Sequence, residues 1–162
     1  MITDTRAFTI LLAAGGSLAL LLGAFGFQYL GGLAPCQLCL WQRWPHAAAL
    51  LIGLLALAVA RGTMGRLLPL MGALAALASA AIGVFHVGVE QKWWEGLASC
   101  TASSISGLST ADLLNPDVNV GAVIRCDEIA WSLLGISMAG WNVILSALLA
   151  MLWVAAYRRS MA

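Results

Sequence analysis

The sequence predicts an all-α protein, an integral membrane four-helix bundle with two outer loops, the second of them long. Three observations predict it. The first is composition: of 162 residues, 62% are hydrophobic and only 9% are charged, with a mean hydropathy of +0.93, whereas a soluble domain carries about a quarter charged residues. Too few charges remain to cover a water-facing surface, so most of the surface must meet lipid. The second is the recurrence of uncharged runs long enough to cross a hydrocarbon core about 30 Å thick. The third is the sorting of the remaining charges between alternate connections. A net charge of +1 lacks the dense basic patch that nucleic acid requires, so nucleic acid is not an expected partner.

The first span is expected over residues 8–30, which carry no charge and a single Gln. At this length the run exceeds the roughly 7–15 residue apolar core of a signal peptide, and no clean A-x-A site follows. Leu33-Ala34-Pro35-Cys36 resembles a lipoprotein cleavage site, but Pro35 directly before the cysteine should block cutting. The second span is expected over 40–60 with Pro45 in its first turns, where a missing N–H is tolerated. The third is expected over 67–89, again with a proline, Pro69, near its start, and the fourth over 135–157. The chain thus reads as one membrane domain over 1–162, with outer loops at 31–39 and 90–128 and one short interfacial helix near 109–114. Trp41, Trp44, Trp93, Trp94 and Trp131 cluster near the span ends on one side, as an aromatic belt does.

Charge sets the orientation. Arg6, Arg61, Arg66, Arg158 and Arg159 fall at the N-terminus, between spans two and three, or at the C-terminus. Lys and Arg concentrate on the cytoplasmic side, so both termini are expected there. Glu90, Glu95, Asp112, Asp117, Asp127 and Glu128 lie on the opposite side. That topology places all four cysteines on the outer, oxidising face: Cys36 and Cys39 in the first loop, Cys100 and Cys126 in the second.

Pro35-Cys36-Gln37-Leu38-Cys39 has the C-x-x-C spacing that brings two sulfurs within bonding reach across one turn and suits redox cycling. The pair lies at the start of span two, where free N–H groups and the helix dipole favour a thiolate. Arg43 follows Cys39 by four residues and shares its helical face, and a fixed positive charge there lowers a thiol pKa. Bland readings compete with this one. The C-x-x-C could be half of a soft-metal site, although no second such pair follows it. Cys100 and Cys126 could form an inert bridge, which would stabilise by about 3–4 kcal/mol in the chain-entropy model. Arg43 could snorkel to headgroups. These leave two rival classes beside a redox enzyme: a small soft-metal transporter, or a structural four-span protein with two inert disulfides. His86 sits near the outer end of span three, where an intramembrane ionisable group is a functional candidate, or a bundle histidine held by hydrogen bonds. Glu90 lies one turn further on.

Pro35-Cys36-Gln37-Leu38-Cys39-Leu40-Trp41-Gln42-Arg43, then Cys100, then Arg125-Cys126 followed by Trp131-Ser132-Leu133-Leu134-Gly135-Ile136-Ser137-Met138, resemble the family of disulfide bond formation protein B (DsbB). The likeness spans nearly the whole chain, and the P-C-x-L-C-x-x-x-R signature is rather specific. It implies a bacterial inner-membrane enzyme with periplasmic cysteine loops that reoxidises a soluble DsbA-type oxidase of thioredoxin fold and passes the electrons to quinone, ubiquinone more than menaquinone. By the same resemblance, Cys100 takes the mixed disulfide and Cys126 is its partner. Cys36 and Cys39 match the quinone-proximal pair, with Cys39 the quinone-facing thiolate and Arg43 stabilising it. Trp131 and Met138 match positions that flank the quinone, and no metal is implied. One departure stands out. Some relatives carry a histidine where Glu90 lies here, while His86 is a turn deeper, and Phe85-His86-Val87-Gly88-Val89-Glu90-Gln91-Lys92-Trp93-Trp94 suggests a separate branch with a dedicated partner.

Overall fold

The structure is a computed structural model that describes residues 2–59, 62–97 and 124–161. Four helices carry it: α1 (Ile2–Tyr29), α2 (Gln37–Ala58), α3 (Gly62–Glu90) and α4 (Met138–Met161). They pack in a ring, α1 and α3 each lying against both α2 and α4. Among the described residues, α1, α3 and α4 are long and apolar enough to cross a membrane. The remaining helix, α2, has 22 residues but carries Gln42, Arg43 and His46 in its first half. Those polar residues build the site described below.

The expected spans correspond to these helices with shifted ends. Because α2 and α3 begin at Gln37 and Gly62, Pro45 and Pro69 lie two turns inside them and not in the first turn, each removing one ladder hydrogen bond. The fourth helix starts three residues later than expected, because Ser132–Leu133 (β1) and Ile136–Ser137 (β2) pair as an antiparallel hairpin. Leu134 and Gly135 both take positive φ, 55° and 77°, the geometry of a type I′ turn that suits hairpin twist. Ser137 then caps α4, its Oγ accepting from the Gly140 N–H at 3.2 Å.

Other ends are equally specific. At the end of α1 the Leu30 and Gly31 N–H groups converge on Gly26 O before Gly32 turns at φ 68°. At the end of α3, Trp93 N–H donates to Gly88 O and Lys92 N–H to Val89 O. With Lys92 at φ 59°, this is a Schellman closure with lysine in the place usually held by glycine. Trp94 then folds back over Gly88, stacks on Phe85 with centroids 5.9 Å apart, and donates Nε1–H to Phe85 O at 3.0 Å. A Cβ on Gly88 would stand 2.0 Å from the Trp94 ring, so the small residue is what lets the chain reverse here.

The bundle interior is built from small side chains. Ala13, Ala14, Ala56, Ala73, Ala76, Ala150 and Ala156 surround the buried Trp153, with Ile10, Leu68 and Leu149. Large apolar residues such as Phe8, Leu22, Leu51, Leu74 and Met151 point outward. Small residues inside and bulky ones outside are the reverse of a water-soluble bundle and the usual packing of helices in lipid. At the end of the bundle away from the cysteines, Arg6 is buried and donates to Gly65 O at 2.8 Å and Ala56 O at 3.4 Å, tying α1 to α2 and α3. Arg159 reaches the Thr9 hydroxyl and ties α4 to α1. The Arg6 that reads in the sequence as a topology charge is therefore also a helix tie.

Candidate active site

Cys36 is the N-cap of α2, in extended conformation, and its sulfur accepts the Cys39 N–H at 3.3 Å. A sulfur there takes up one of the orphan N–H groups of the first turn and meets the positive end of the helix dipole. One turn on, the Cys39 sulfur lies 3.0 Å from that of Cys36, and both cysteines are free thiols. At this distance the pair shares a proton. The hydrogen bond from Cys39, opposed by burial and helped by His86, draws the Cys36 thiol down to about 4. The N-cap position and the hydrogen bond within the pair thus favour a thiolate at Cys36, with Cys39, the sulfur that the resemblance names as quinone-facing, one turn further on.

The sequence reading left His86 unassigned, and the structure brings it to the sulfurs. Its Nε2 lies 3.6 Å from Cys36 Sγ and 3.9 Å from Glu90 Oε1. Glu90 accepts from the Ser137 hydroxyl at 2.5 Å, which joins α3 to the cap of α4. His86 Nδ1 faces Gln42 Nε2 at 3.0 Å. Gln42 continues to Asn142, and Asn142 to His46, around which Ser17, Ser79 and Ser146 gather from the other three helices. The sequence signal for part of this set is the one-turn spacing of His86 and Glu90, which puts both on one face. Asn142 offers no such signal.

Arg43 does not turn back to the sulfurs. Its Nη1 donates to Gln28 Oε1 at 2.5 Å and its Nη2 to Ala24 O at 3.4 Å, and it lies 5.1 Å over the Phe25 ring. It nonetheless lines the same cavity as the cysteines, a largely apolar space of about 350 Å³ between α1, α2, α4 and the hairpin. Trp131 and Met138, the other two expected flanking residues, line it too, and Trp131 packs on Phe27 with centroids 4.9 Å apart. Cys126 is disulfide-bonded and fully buried in a cluster with Cys36, Leu38 and Val89. The structure thus gathers Cys36, Cys39, Arg43, Cys126, Trp131 and Met138 at one end of the bundle. Cys100 and the short helix expected near 109–114 lie outside the described residues.

The donor set discriminates between two kinds of occupant. Ligand atoms of Cys36, Cys39 and His86 all lie within 4.8 Å of one another. Two sulfurs held at 2.3 Å on one tetrahedral ion stand about 3.8 Å apart, so a 3.0 Å pair is set for proton sharing and S–S closure instead of ligation. A flat, apolar, two-electron acceptor fits better. The cavity offers aromatic and aliphatic walls, the thiol pair at its head and the guanidinium groups of Arg43 and Arg125 for a polar oxygen.

The family model described as disulfide bond formation protein DsbB matches residues 6–156. Disulfide bond formation protein B of Verminephrobacter eiseniae is 34% identical over 150 residues, covering 87% of this chain and 80% of the relative. The protein of the same name from Methylococcus capsulatus is 32% identical over 130 residues, 78% of each chain. Disulfide bond formation protein B 2 of Pseudomonas aeruginosa is 29% identical over 150 residues, 88% of this chain and 84% of the relative. No solved structure matches the chain.

Proposed function

The chain belongs to the DsbB family of disulfide bond formation proteins, and from that premise we propose that it is a protein-dithiol:quinone oxidoreductase that reoxidises a periplasmic DsbA-type thiol oxidase. The observation that carries this reading is the pair of free sulfurs 3.0 Å apart at the head of an apolar cavity, with Cys126 buried against Cys36.

The proposed relay balances at each exchange. A thiolate of the reduced partner attacks the loop disulfide at Cys100 and Cys126 leaves. The partner's second thiol resolves the mixed disulfide, so the partner departs oxidised and Cys100 is left as a thiol. The Cys126 thiolate attacks the oxidised Cys36–Cys39 bond at Cys36, which is buried in the same cluster, and Cys39 leaves. Cys100 then closes on Cys126, expelling Cys36 as the thiolate that the N-cap and His86 hold. A quinone in the cavity supplies the sink for two electrons and two protons as Cys36 and Cys39 close again. Arg43 places positive charge in the same cavity, and Trp131, Phe27 and Met138 form its apolar walls and keep water from the sulfurs. A DsbA-type partner is itself oxidising, at about −120 mV, and 30 mV is worth about 1.4 kcal/mol for two electrons, so a high-potential acceptor is needed to keep the relay downhill. Ubiquinone is proposed over menaquinone on the family resemblance.

The apolar outer faces of the helices and the paired Arg158 and Arg159 in the last turn of α4 support a place in the bacterial inner membrane with both termini cytoplasmic and the cysteine loops periplasmic. The test is turnover of purified protein with reduced DsbA-type partner and ubiquinone, followed by quinone absorbance. Cys39→Ser and Cys36→Ser should each abolish turnover and leave the helical circular dichroism intact. Turnover at the normal rate in either variant would overturn the electron path.

A further inference from the structure

Two amides beside the redox pair have orientations fixed by backbone carbonyls, which can only accept hydrogen bonds. Leu38 O lies 3.1 Å from Gln42 Nε2, and Ser79 O lies 3.4 Å from Asn142 Nδ2. Both contacts demand that the nitrogen face the carbonyl. The two assignments agree with each other, because Asn142 Nδ2 then donates to Gln42 Oε1 at 2.7 Å. With Gln42 set this way its second N–H points at His86 Nδ1, 3.0 Å away. A protonated Nδ1 would place donor against donor there. His86 Nδ1 must therefore accept, and the ring proton belongs on Nε2, the nitrogen that faces Cys36 Sγ at 3.6 Å.

We propose that His86 is a catalytic group that acts as a neutral, Nε2-protonated hydrogen-bond donor to the Cys36 thiolate, with Gln42 and Asn142 as the positioning residues that lock its tautomer. The inference rests on the reading of Cys36–Cys39 as the quinone-coupled pair and adds the means by which Cys36 is held charged. His86 in this state does not take the Cys36 proton. It donates to the sulfur when Cys36 is expelled as a thiolate in the last exchange, beside the Cys39 N–H that already points at the same atom at 3.3 Å. The thiolate so held is the nucleophile when the pair closes, its two electrons passing to quinone. The ionisable groups that act on this sulfur are Cys39 from α2 and His86 and Glu90 from α3; Arg43, Arg125 and Glu128 line the same cavity, and α1 brings no ionisable group to it. The Nε2 of His86 also stands 3.9 Å from Glu90 Oε1, whose other oxygen takes the Ser137 hydroxyl, and the Cys126 backbone is a further acceptor for His86, so the sulfur shares this proton with them.

The lock separates a neutral donor from an imidazolium. Glutamine carries an N–H near the position of a histidine Nε2 but cannot take a positive charge. In the reduced full-length protein, the midpoint of the Cys36 alkylation profile against pH, mapped by peptide mass, should stay within about half a unit in His86→Gln and rise by about one unit or more in His86→Leu, which below the midpoint is about tenfold in thiolate. Equal rises in the two variants would show that the charge of His86 matters and would overturn the proposal, as would an unchanged midpoint in His86→Leu. A second measurement needs no substitution in the site. The chain has two histidines, and nitrogen NMR of the 15N-histidine-labelled reduced protein should give a neutral Nε2–H form for His86 at pH 7. A Nδ1–H form or a doubly protonated ring would sink the lock even if every variant misfolded. Gln42→Met, which keeps length and loses the donor, should convert that signal to a mixture of tautomers. None of these readouts uses quinone or partner. Loss of quinone turnover in the unsubstituted protein with the tautomer intact would count against the oxidase reading alone.

Discussion

Gln42 and Asn142 stand 100 positions apart in the chain and are joined by a 2.7 Å hydrogen bond in the middle of the helix bundle. The bond links the turn of α2 that follows the cysteines to the first turns of α4. Through Asn142 Oδ1 it continues to His46 Nε2 at 3.1 Å, where Ser79 and Ser146 also converge. The redox end of the bundle is thereby tied to a polar knot that draws on all four helices. In lipid such groups have no water to turn to, so each must find its partner within the protein.

Asn142→Leu should therefore destabilise the bundle by about 1–2 kcal/mol, since interhelical hydrogen bonds in membrane proteins average near 0.6 and several are lost together. Gln42 Oε1 and His46 Nε2 would each lose a partner. Thermal unfolding in detergent measures this, and an unchanged midpoint would mean that the knot adds nothing to stability.

The charge on Cys36 has a pH signature. With its thiol drawn down to about 4, chiefly by the hydrogen bond from Cys39, Cys36 is a thiolate at every pH above that value and a thiol only below it. Its alkylation rate should rise through the acid range and then stay flat between pH 6 and 8. An ordinary thiol of pKa near 8.5 instead gains about tenfold per unit over that interval. Cys39→Ala removes the largest cause and should move the rise toward neutral pH. A Cys36 profile that climbs steadily to pH 8 in the native protein would contradict the assignment.

Arg43→Ala should raise the quinone KM and lower kcat, with partner exchange at the loop disulfide little changed. The guanidinium lines the cavity but is held by Gln28, Ala24 and Phe25 of α1. Arg43→Lys keeps the charge but loses the planar fork that spans Gln28 and Ala24, so it should recover only part of the affinity. Quinone kinetics identical to the native protein, with only expression reduced, would leave Arg43 as a structural tie between α1 and α2.

Sequence reading reached α1, α3 and α4 because a long uncharged apolar run announces each of them, and α2 because a long apolar run follows the cysteine motif although Arg43 interrupts it. It reached the cysteine pair because the C-x-x-C spacing states a local geometry that one helical turn enforces, and Cys36 does become the N-cap. It missed by three residues where α4 starts, since Leu134-Gly135 carries a turn that a hydropathy window averages away. His86 stood as either a functional candidate or a bundle histidine, and Gln42 and Asn142 had no role, because the meaning of all three lies in contacts across 44 and 100 positions. The same limit hid the buried role of Arg6, whose acceptors are carbonyls 50 and 59 residues distant.

Gly72→Ala tests the packing that keeps these parts in register. A Cβ at Gly72 would lie 2.5 Å from the Trp153 ring, and Trp153 is fully buried among alanines that cannot yield. Overpacking of this kind costs about 1–3 kcal/mol. The unfolding midpoint should drop while Cys36 alkylation is preserved, because Trp153 lies deep in the apolar core and not in the cavity at the cysteine end. A simultaneous collapse of thiol reactivity would show that the two ends of the bundle are coupled more tightly than the packing implies.

The direction of electron flow is tested by trapping. Cys126 is buried against Cys36 and is already in a disulfide, so it is the sulfur positioned to hand electrons to the quinone-coupled pair and is shielded from a soluble partner. The other loop cysteine, Cys100, is proposed as the point of attack. Cys126→Ala removes the thiol that would otherwise regenerate the loop disulfide, leaving Cys100 to hold the partner. A DsbA-type oxidase that keeps only its nucleophilic cysteine, activated as a mixed disulfide with a small aromatic thiol, should then give a covalent species whose peptide mass maps to Cys100. In the native protein the same partner in its reduced form should give a bond to Cys100 that decays as Cys126 returns. A bond mapped to Cys126 or Cys36 in the native protein would reverse the order of transfer. Absence of any covalent species with several oxidases of this type would return the loop bridge to a purely structural part. Intact cells add the topology: a periplasmic partner reaches Cys100 only if the long loop is outside, so trapping in the periplasm and failure with a cytoplasmic copy of the partner must occur together.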